Sequence, residues 1–308
     1  MTPVTGIIAS QHHEQFSIYL AESGRFIKAG LGGSLRRQLK IAGLSLVVGD
    51  RVSLDRASDE GGQAIIVSLA ARRSLLSRVS AGGSGQIQAL AANVDLVLIC
   101  TSLNEEFNLR RLERYLALAD GAGLPAVIVL TKSDLQHRQQ DRLSSLAALN
   151  PLRQRLLCSA LTGQGQDELK ALIPAGQTAV LMGSSGVGKS SLVNLLLGKE
   201  ALRTAAISRH QDKGRHTTTH RQLIPLPEGG YLIDSPGIRE LKLEDSDVSA
   251  AFDDVEVLAQ GCRFRDCGHQ AEPGCAVRLA VAQGQLDAGR LRSYLKLKAE
   301  EARRQRHR

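Results

Sequence analysis

The chain has 308 residues, 43% of them hydrophobic, which is enough to bury a full core and to form two or three domains. Its formal net charge of +8 favours an anionic partner such as RNA, although many soluble proteins are also mildly basic. No stretch approaches the ~20 consecutive apolar residues of a membrane span, so we expect a cytoplasmic protein with no membrane partner.

Residues 1–72 predict a small β-barrel. Five short β-like runs are separated by glycine-containing connections, at residues 5–10, 16–20, 26–29, 51–54 and 64–69. The segment from Arg25 to Lys40 carries basic residues and no acidic one. Among barrels of this size, the five-stranded nucleic-acid-binding type, the OB-fold, fits these features. We therefore predict an RNA-binding barrel, although the same pattern suits any small barrel.

Residues 73–240 predict an α/β domain. Continuous apolar runs alternate with segments of helical spacing; the runs cover residues 94–100, 126–130, 156–158 and 178–182, and the helical segments cover 109–122 and 143–149. This alternation implies a mostly parallel sheet covered on both faces. Ligands of such sheets bind beyond the carboxyl ends of the strands, where the nucleotide motifs of this chain occur.

The motifs of a guanine-nucleotide site are all present, but their order is unusual. They are Thr131-Lys132-Ser133-Asp134, Ser159-Ala160-Leu161, Gly183 to Ser190, Thr217-Thr218-Thr219 and Asp234-Ser235-Pro236-Gly237. The usual GTPase begins with the phosphate loop and ends with the base-reading motif and Ser-Ala. One cut between the Asp-x-x-Gly and base-reading segments, with the old ends joined, explains the rearrangement. The sequence therefore predicts a circularly permuted P-loop GTPase fold, whose phosphate-sensing segment leads directly into the C-terminal third.

The phosphate loop is complete and follows a predicted strand. It reads Gly183-Ser184-Ser185-Gly186-Val187-Gly188-Lys189-Ser190, and Ser191 begins the helix-forming run that follows. Its glycines let backbone N–H groups wrap the β-phosphate, and the helix N-terminus adds partial positive charge. We expect Lys189 to bridge the β- and γ-phosphates in catalysis and Ser190 to ligate Mg²⁺. The alternative, a chance glycine-rich turn, does not account for the strand-turn-helix context.

The base-reading motif predicts guanine rather than adenine. A carboxylate such as Asp134 accepts hydrogen bonds from N1–H and the exocyclic amine of guanine, whereas adenine presents an unprotonated ring nitrogen there. We expect Lys132 to lie along the base plane, and Ser159 and Ala160 to support the base from the next strand end. Thr131 stands where Asn is commoner, which predicts a weaker polar contact behind the base. Taken alone, this four-residue pattern also suits a helix cap.

The switch segments supply the predicted magnesium and water contacts. Asp234 is expected to hold Mg²⁺ through water, Thr218 to contact the same ion, and the backbone N–H of Gly237 to meet the γ-phosphate. Many regulatory GTPases orient the attacking water with a glutamine after this glycine, but here Ile238 follows. We therefore expect slow unaided hydrolysis. His216 and His220 flank the threonine cluster, and His216 is the better candidate for positioning water; a solvated switch residue is the alternative.

The C-terminal segment, residues 241–308, predicts a mainly helical domain with a basic C-terminal helix and a structural zinc site. Its Cys-x4-Cys-x-His-x5-Cys pattern comprises Cys262, Cys267, His269 and Cys275. Three thiolates and one imidazole match a closed tetrahedral zinc site. Disulfides are the alternative, which a cytosolic location disfavours. The remaining cysteines, Cys100 and Cys158, lie in apolar runs and are predicted to be inert core residues.

With these residues in place, the chain resembles the RsgA family of ribosome small-subunit-dependent GTPases. The resemblance covers essentially the whole chain. It rests on the permuted nucleotide motifs, the zinc cluster and residues 48–52, 92–95, 107–111 and 214–219. It implies an OB-type barrel, a permuted GTPase domain and a zinc domain in that order. It does not extend to the long basic arm that some relatives carry before the barrel.

The resemblance also implies a function. Members of this family are cytoplasmic factors that dock on the 30S subunit and its 16S rRNA late in assembly. Their GTPase activity is stimulated there, and they help to release other assembly factors. We therefore expect a monomeric GTP hydrolase in which GTP orders the switch and favours the subunit-bound shape, and hydrolysis to GDP relaxes it.

The sequence leaves two other hypotheses about function open. The chain could be an RNA-binding assembly scaffold for which GTP is a conformational ligand and turnover is incidental, and Ile238 is consistent with that reading. It could also be an ATP-dependent P-loop enzyme, in which case ATP would compete with bound GTP. Asp134 argues against the ATP-dependent enzyme.

Overall fold

The computed structural model describes residues 4–79, 87–104, 107–135, 142–144, 146, 153–184, 186–198, 221–234, 252–264, 266–286, 288, 290–292, 294–295 and 298. Buried hydrophobic residues within these ranges form four clusters. One cluster fills an N-terminal barrel, two cover the faces of a central sheet, and one lies in the C-terminal region. No helix in this part of the chain is long and apolar enough to cross a lipid bilayer.

The N-terminal strands close into a barrel, as the sequence predicts. In the described chain its five strands are β1 (Val4–His12), β2 (Gln15–Leu20), β3 (Arg25–Leu31), β4 (Arg51–Leu54) and β5 (Ala64–Leu69). They close in the order β1-β2-β3-β5-β4, with β3 and β5 parallel and the other neighbours antiparallel. Because side chains alternate along a strand, Ile8, Ile18 and Ile66 point inward and are fully buried.

The sequence analysis did not predict the helix that lies between β3 and β4. Helix α1 (Gly33–Ile41) buries Leu35 and Leu39 in the barrel core. These two leucines are four residues apart and therefore share one helical face. The opposite face carries exposed basic residues, including Arg36 and Arg37. Part of the basic segment thus lies on a helix rather than in a loop.

The central sheet is mostly parallel, as predicted. Its six strands among the described residues are β8 (Leu96–Ser102), β9 (Ala126–Thr131), β10 (Arg155–Leu157), β11 (Thr178–Met182), β12 (Gln222–Pro225) and β13 (Tyr231–Asp234). Their order is β10-β9-β8-β11-β13-β12, and only the edge strand β12 is antiparallel to its neighbour in this described sheet. The carboxyl ends of β8, β9, β11 and β13 therefore meet at one edge, where a ligand site is expected.

Helices cover the sheet. They are α2 (Leu109–Gly121), α3 (Gln166–Ala171) and the helical residues 189–198, here called α4. Alternate residues of β8 face opposite ways, so that Val97 belongs to one buried cluster and Leu98 to the other. Of the helix predicted at residues 143–149, only 143, 144 and 146 are among the described residues, and all three are helical.

A second unpredicted element, a hairpin of β6 (Leu75–Val79) and β7 (Ile87–Ala92), joins the barrel to the sheet. The Ala92 amide donates to the Val48 carbonyl at 3.0 Å, and the Asn93 side-chain amide donates to the Gly49 carbonyl at 2.9 Å. Next to this contact, the fully buried carboxylate of Asp50 pairs with Arg72 at 2.8 Å. The barrel is therefore fixed to the strand that leads into the central sheet.

Replacing Gly49 with alanine is expected to weaken this junction. Gly49 has a φ of +92°, and an added Cβ would lie 2.1 Å from the Ala92 carbonyl oxygen. Backbone strain and steric overlap together are expected to lower the free energy of unfolding by roughly 2–4 kcal/mol. Urea unfolding of Gly49→Ala would measure the change.

A glycine with open surroundings provides the control for this substitution. Gly121, at the end of α2, has no neighbouring atom within 4 Å of an added Cβ. Gly121→Ala is therefore expected to leave the urea midpoint unchanged or to raise it slightly. Equal midpoints for the two variants would contradict the role assigned to Gly49.

The described C-terminal residues are mainly helical, as predicted. They include α5 (Asp253–Ala259), α6 (Ala276–Ala282) and further helical positions between 288 and 298. Phe252 and Val277 are fully buried in a cluster that also contains Tyr294, whose ring packs edge-on against Phe252 at 5.6 Å between centroids. This cluster forms a core separate from that of the sheet.

Candidate functional site

The phosphate loop joins the carboxyl end of β11 to α4. Gly183 has a φ of +153°, and an added Cβ would lie 2.6 Å from the carbonyl oxygen of Cys100 on β8, so only glycine fits. The buried ammonium group of Lys189 donates to the carbonyl oxygens of Gly183 at 2.9 Å and Ser184 at 2.7 Å. The loop therefore holds this positive charge against its own backbone, where a phosphate group would be bound.

The base-reading segment is hydrogen-bonded to the phosphate loop. The hydroxyl of Thr131, at the end of β9, donates to the Val187 carbonyl at 2.5 Å, and the Lys132 ammonium donates to the Gly186 carbonyl at 3.0 Å. Lys132 has a φ of +57°, a conformation uncommon for residues other than glycine. Two motifs more than fifty residues apart are thus brought together.

Asp134 is held by the Ser-Ala loop. The hydroxyl of the fully buried Ser159 donates to the Asp134 carboxylate at 2.6 Å and accepts the Leu161 and Thr162 amides at 3.2 Å each. The carboxylate is half-buried, and it follows by two residues Lys132, whose ammonium group contacts the phosphate loop. Ser159 therefore orients Asp134, and Ala160, exposed in the same loop, follows it directly.

A further contact involves a residue outside the sequence motifs. The Ser133 hydroxyl donates to the side-chain oxygen of Gln164 at 2.7 Å, and the Ser159 amide donates to the Gln164 carbonyl at 3.0 Å. The sequence analysis did not single out Gln164. The available signal was its position between Gly163 and Gly165, which both have positive φ angles and mark a tight turn.

The residues predicted for magnesium approach the same sheet edge. Asp234 ends β13 and is paired in register with Leu181 of β11, two residues before the phosphate loop, and Ser190 is exposed at the start of α4. Burial raises the pKa of the Cys100 thiol to about 12, and the charges of Lys189 and Asp234 have smaller, opposite effects on it. Asp234 and the phosphate loop that carries Lys189 therefore lie at the same edge of the sheet.

Several predicted site residues lie outside the described residues. They are Ser185, His216, Thr217, Thr218, Thr219, Gly237 and Ile238. Of the predicted magnesium set, the structure thus places Ser190 and Asp234. Ser191 lies in the first turn of α4 and is exposed.

The four predicted zinc ligands form a compact cluster. Their ligand atoms all lie within 4.8 Å of one another. His269 Nδ1 is 3.5 Å from the sulfur atoms of both Cys262 and Cys275, which are 3.9 Å apart. Tetrahedral zinc with Zn–S bonds of ~2.3 Å requires ligand separations of about 3.8 Å. The cluster therefore fits a metal ion such as zinc, and the separation of these two sulfur atoms is too long for a disulfide.

The local structure explains how the cluster is held. The Cys275 sulfur caps α6 by accepting the Arg278 amide at 3.5 Å. The Glu272 carboxylate accepts the amides of Gly268, Gln270 and Ala271 at 2.9 to 3.0 Å, which fixes the turn between His269 and Cys275. Backbone amides, that of Glu272 itself first and those of Ala271, Gly268 and Gln270 after it, lower the pKa of the Glu272 carboxyl to about 2.

The other two cysteines are core residues, as predicted. Cys100 and Cys158 are buried, and burial raises the pKa of the Cys158 thiol to about 11. Both thiols therefore stay protonated and unreactive at neutral pH.

Taken together, the sheet, the phosphate loop and the Asp134 segment define a P-loop protein of the GTPase class whose base-binding segments precede its phosphate loop. The sequence profile of the family described as RsgA GTPase matches residues 69–244, more than half of the chain. This chain belongs to the RsgA GTPase family.

Individual relatives extend the match beyond that domain. A protein of Lactiplantibacillus plantarum named small ribosomal subunit biogenesis GTPase RsgA 2 is 43% identical over 298 residues, which cover 96% of this chain and 83% of the relative. The RsgA of Xanthomonas euvesicatoria pv. vesicatoria is 48% identical over 242 residues, which cover 77% of this chain and 66% of that protein.

Solved structures show the same fold. YjeQ from Thermotoga maritima matches with a TM-score of 0.70 and 29% identity over 97% of this chain and 98% of its own. YloQ, described as a circularly permuted GTPase, matches with a TM-score of 0.67 and 25% identity over 98% of this chain and 96% of its own. The permuted order predicted from the motifs is confirmed.

Proposed function

We propose that this chain hydrolyses GTP to GDP and phosphate during biogenesis of the small ribosomal subunit. The observation that carries the proposal is the pair of hydrogen bonds from Thr131 and Lys132 to the phosphate loop, which place the base-reading and phosphate-binding segments at one sheet edge. The two relatives, at 43% and 48% identity, are both named as GTPases of small-subunit biogenesis.

Guanine would be read by the segment that Ser159 orients. The Asp134 carboxylate accepts N1–H and the exocyclic amine together, and the hydrogen bond from Ser159 leaves its remaining lone pairs for the base. Lys132 lies along the base, and the Ser159-Ala160 loop supports it from the end of β10. This pairing selects guanine over adenine because adenine lacks both donors.

The phosphates would be bound by residues 183–191. Backbone N–H groups of Gly186 and Gly188 surround the β-phosphate, and the N-terminus of α4 adds partial positive charge. Lys189 already has its ammonium group inside the loop, bonded to carbonyl oxygens at 2.7 and 2.9 Å. Transferring these bonds to β- and γ-phosphate oxygens keeps the ammonium paired and neutralises charge that develops in the transition state.

Magnesium would be held by oxygen ligands, which this ion prefers. Ser190 and Asp234 supply a hydroxyl and a carboxylate at neighbouring ends of α4 and β13, and the donor set fits a hard divalent cation. Thr218 would complete the set from the switch. When bound, Mg²⁺ would supply charge neutralisation between the β- and γ-phosphates.

Water activation is the step that we assign to the ribosome. Ile238 has no group that hydrogen-bonds water, so the chain depends on His216 and on geometry completed by the 30S subunit. The backbone N–H of Gly237 would hold the γ-phosphate. Isolated turnover is therefore slow, and subunit binding accelerates it.

The domains would divide the work. The OB-type barrel, residues 1–72, and the basic C-terminal helix of the zinc-binding domain, residues 241–308, would contact 16S rRNA, and the net charge of +8 of the whole chain favours an anionic partner of this kind. The GTPase domain, residues 73–240, lies between them in the sequence and would transmit the nucleotide state to them. The zinc ion stabilises the C-terminal domain, and the chain acts as a cytoplasmic monomer.

A phosphate-release assay with Lys189→Ala tests the proposal. Wild-type turnover should rise strongly with purified 30S subunits and not with 50S subunits. Loss of the Lys189 ammonium removes a preorganised donor to the transition state, which is expected to lower turnover by roughly 10²–10³-fold. The matched control is Lys170→Ala, which removes a lysine paired with Glu228 on the surface and should retain wild-type turnover. Equal rates for both variants would contradict the assigned site.

The scaffold hypothesis is favoured by one observation, the isoleucine that follows Gly237. It predicts GTP-dependent binding to 30S subunits with no increase in phosphate release. An ATP-dependent enzyme would instead show ATP competing with bound GTP. The phosphate-release assay with 30S subunits tests the scaffold hypothesis, and a competition binding measurement between ATP and GTP tests the ATP-dependent enzyme.

A further inference from the structure

We propose that Gln164 is a positioning residue for guanine recognition, which keeps the base-reading segment and the Ser-Ala loop in register. The inference rests on the proposed GTP site, and it assigns a role to a residue outside every nucleotide motif of the sequence. Gln164 follows Ser159 by five residues in the loop between β10 and α3.

Four residues form a closed hydrogen-bonded ring. The Ser159 hydroxyl donates to Asp134 at 2.6 Å, and the Ser159 amide donates to the Gln164 carbonyl at 3.0 Å. The Gln164 side-chain oxygen accepts the Ser133 hydroxyl at 2.7 Å, and the peptide bond from Ser133 to Asp134 closes the ring. The position of the carboxylate therefore depends on both the main chain and the side chain of Gln164.

The loop backbone is built to present Gln164 in this way. Gly163 and Gly165 on either side have φ angles of +82° and +74°. An added Cβ at Gly165 would lie 2.1 Å from the Leu157 carbonyl oxygen, so the loop is pressed against the end of β10. These constraints leave little freedom for the main chain that carries Gln164.

The serines of the ring are shielded from water although Gln164 itself is exposed. Ser159 is fully buried, and Ser133 is only 8% exposed. Removal of the Gln164 side chain takes away the acceptor that ties the Ser133 hydroxyl to the loop carrying Ser159. We expect the base-reading segment to lose its fixed register as a result.

Loss of register should affect guanine more than hypoxanthine. Guanine gives the Asp134 carboxylate two donors, which require the carboxylate to face both at once. Hypoxanthine, the base of inosine nucleotides, lacks the exocyclic amine and gives only one donor. The ratio of GDP to IDP affinity therefore reports on the orientation of Asp134, and general loosening of the fold would lower both affinities equally.

The experiment measures GDP and IDP dissociation constants for Gln164→Ala by calorimetry. GDP affinity is expected to fall about five-fold, the equivalent of one neutral hydrogen bond, with a smaller loss for IDP. The KM for GTP should rise while kcat at saturating GTP stays near wild type. Gln164→Glu retains an acceptor oxygen for Ser133 and should restore most of the GDP-to-IDP ratio.

Controls separate this role from the proposed function. Gln38→Ala removes an exposed glutamine of α1 in the barrel and should change neither constant. Ser133→Ala removes the same hydrogen bond from its other side, so the double variant should lose no more than Ser133→Ala alone. The inference is overturned if Gln164→Ala and Ser133→Ala leave the GDP and IDP dissociation constants unchanged, or if they weaken GDP and IDP binding equally. Failure of the wild-type chain to bind GDP would instead overturn the proposed function.

Discussion

Asp134→Asn is expected to change the base preference of this protein from guanine to xanthine. The Asp134 carboxylate offers only acceptors, which match the two donors of guanine. An asparagine amide offers one donor and one acceptor, which match the C2 carbonyl and the N1–H of xanthine. GDP affinity is expected to fall on the order of 10⁴-fold, because a site built for paired hydrogen bonds leaves polar groups unpaired when the base does not match.

Calorimetric titration with GDP and XDP would measure both effects. The affinity for XDP should rise as that for GDP falls, which distinguishes altered recognition from loss of the fold. Asp167→Asn makes the same charge change on the exposed first turn of α3, and it should bind GDP as the wild-type chain does. If Asp134→Asn kept its GDP affinity and gained none for XDP, Asp134 would not read the base.

Removal of a zinc ligand is expected to unfold the C-terminal core. Cys275 is a proposed ligand, the N-cap of α6 and a member of the buried cluster around Phe252. Structural zinc contributes an apparent ~10 kcal/mol or more to folding in small zinc domains, so a core this small depends on the ion. Cys275→Ser should therefore lose bound zinc and expose residues 252–298 to proteolysis, while the barrel and sheet stay resistant.

Elemental analysis and limited trypsin digestion would test this expectation. The wild-type protein should contain one zinc ion per chain, and prolonged chelation should reproduce the digestion pattern of Cys275→Ser. Cys158→Ser changes a buried cysteine that lies outside the cluster, so it should retain zinc even if it lowers stability. A Cys275→Ser protein with full zinc content and unchanged digestion would exclude the proposed ligand.

The elements that the sequence predicted well are those with strong local signals. The apolar runs of β8, β9 and β11 are bounded by motif residues and are buried on both faces, which leaves little ambiguity about their structure. The zinc cluster and the phosphate loop combine a fixed spacing with the residue types that their chemistry requires. Both features are short, and the residues that form each of them are close together in the sequence.

The elements that were missed depend on tertiary contacts. Residues 87–92 read Ile-Gln-Ala-Leu-Ala-Ala, which favours a helix by composition, yet they form β7 because they pair with β6. Helix α1 is short, and two leucines provide its only apolar face. This segment forms a helix because its two leucines pack against the barrel, which the local sequence does not show.

Side-chain partners far apart in sequence were also beyond prediction. Thr131 stands where asparagine is commoner, and its hydroxyl donates to the carbonyl of Val187, 56 residues away. Gln164 meets Ser133 across 31 residues. No local pattern encodes either pair, because each depends on how β9, β10 and β11 are placed beside one another.

The strand order also bears on how the chain folds while it is being synthesised. β11 lies between β8 and β13, yet it is translated after β8, β9 and β10. Until residue 182 leaves the exit tunnel, the nascent chain holds β8, whose residues are all buried in the folded protein, with the backbone groups of one edge unpaired. Unpaired strands of this kind invite aggregation, so this protein should need chaperone protection during that interval of translation.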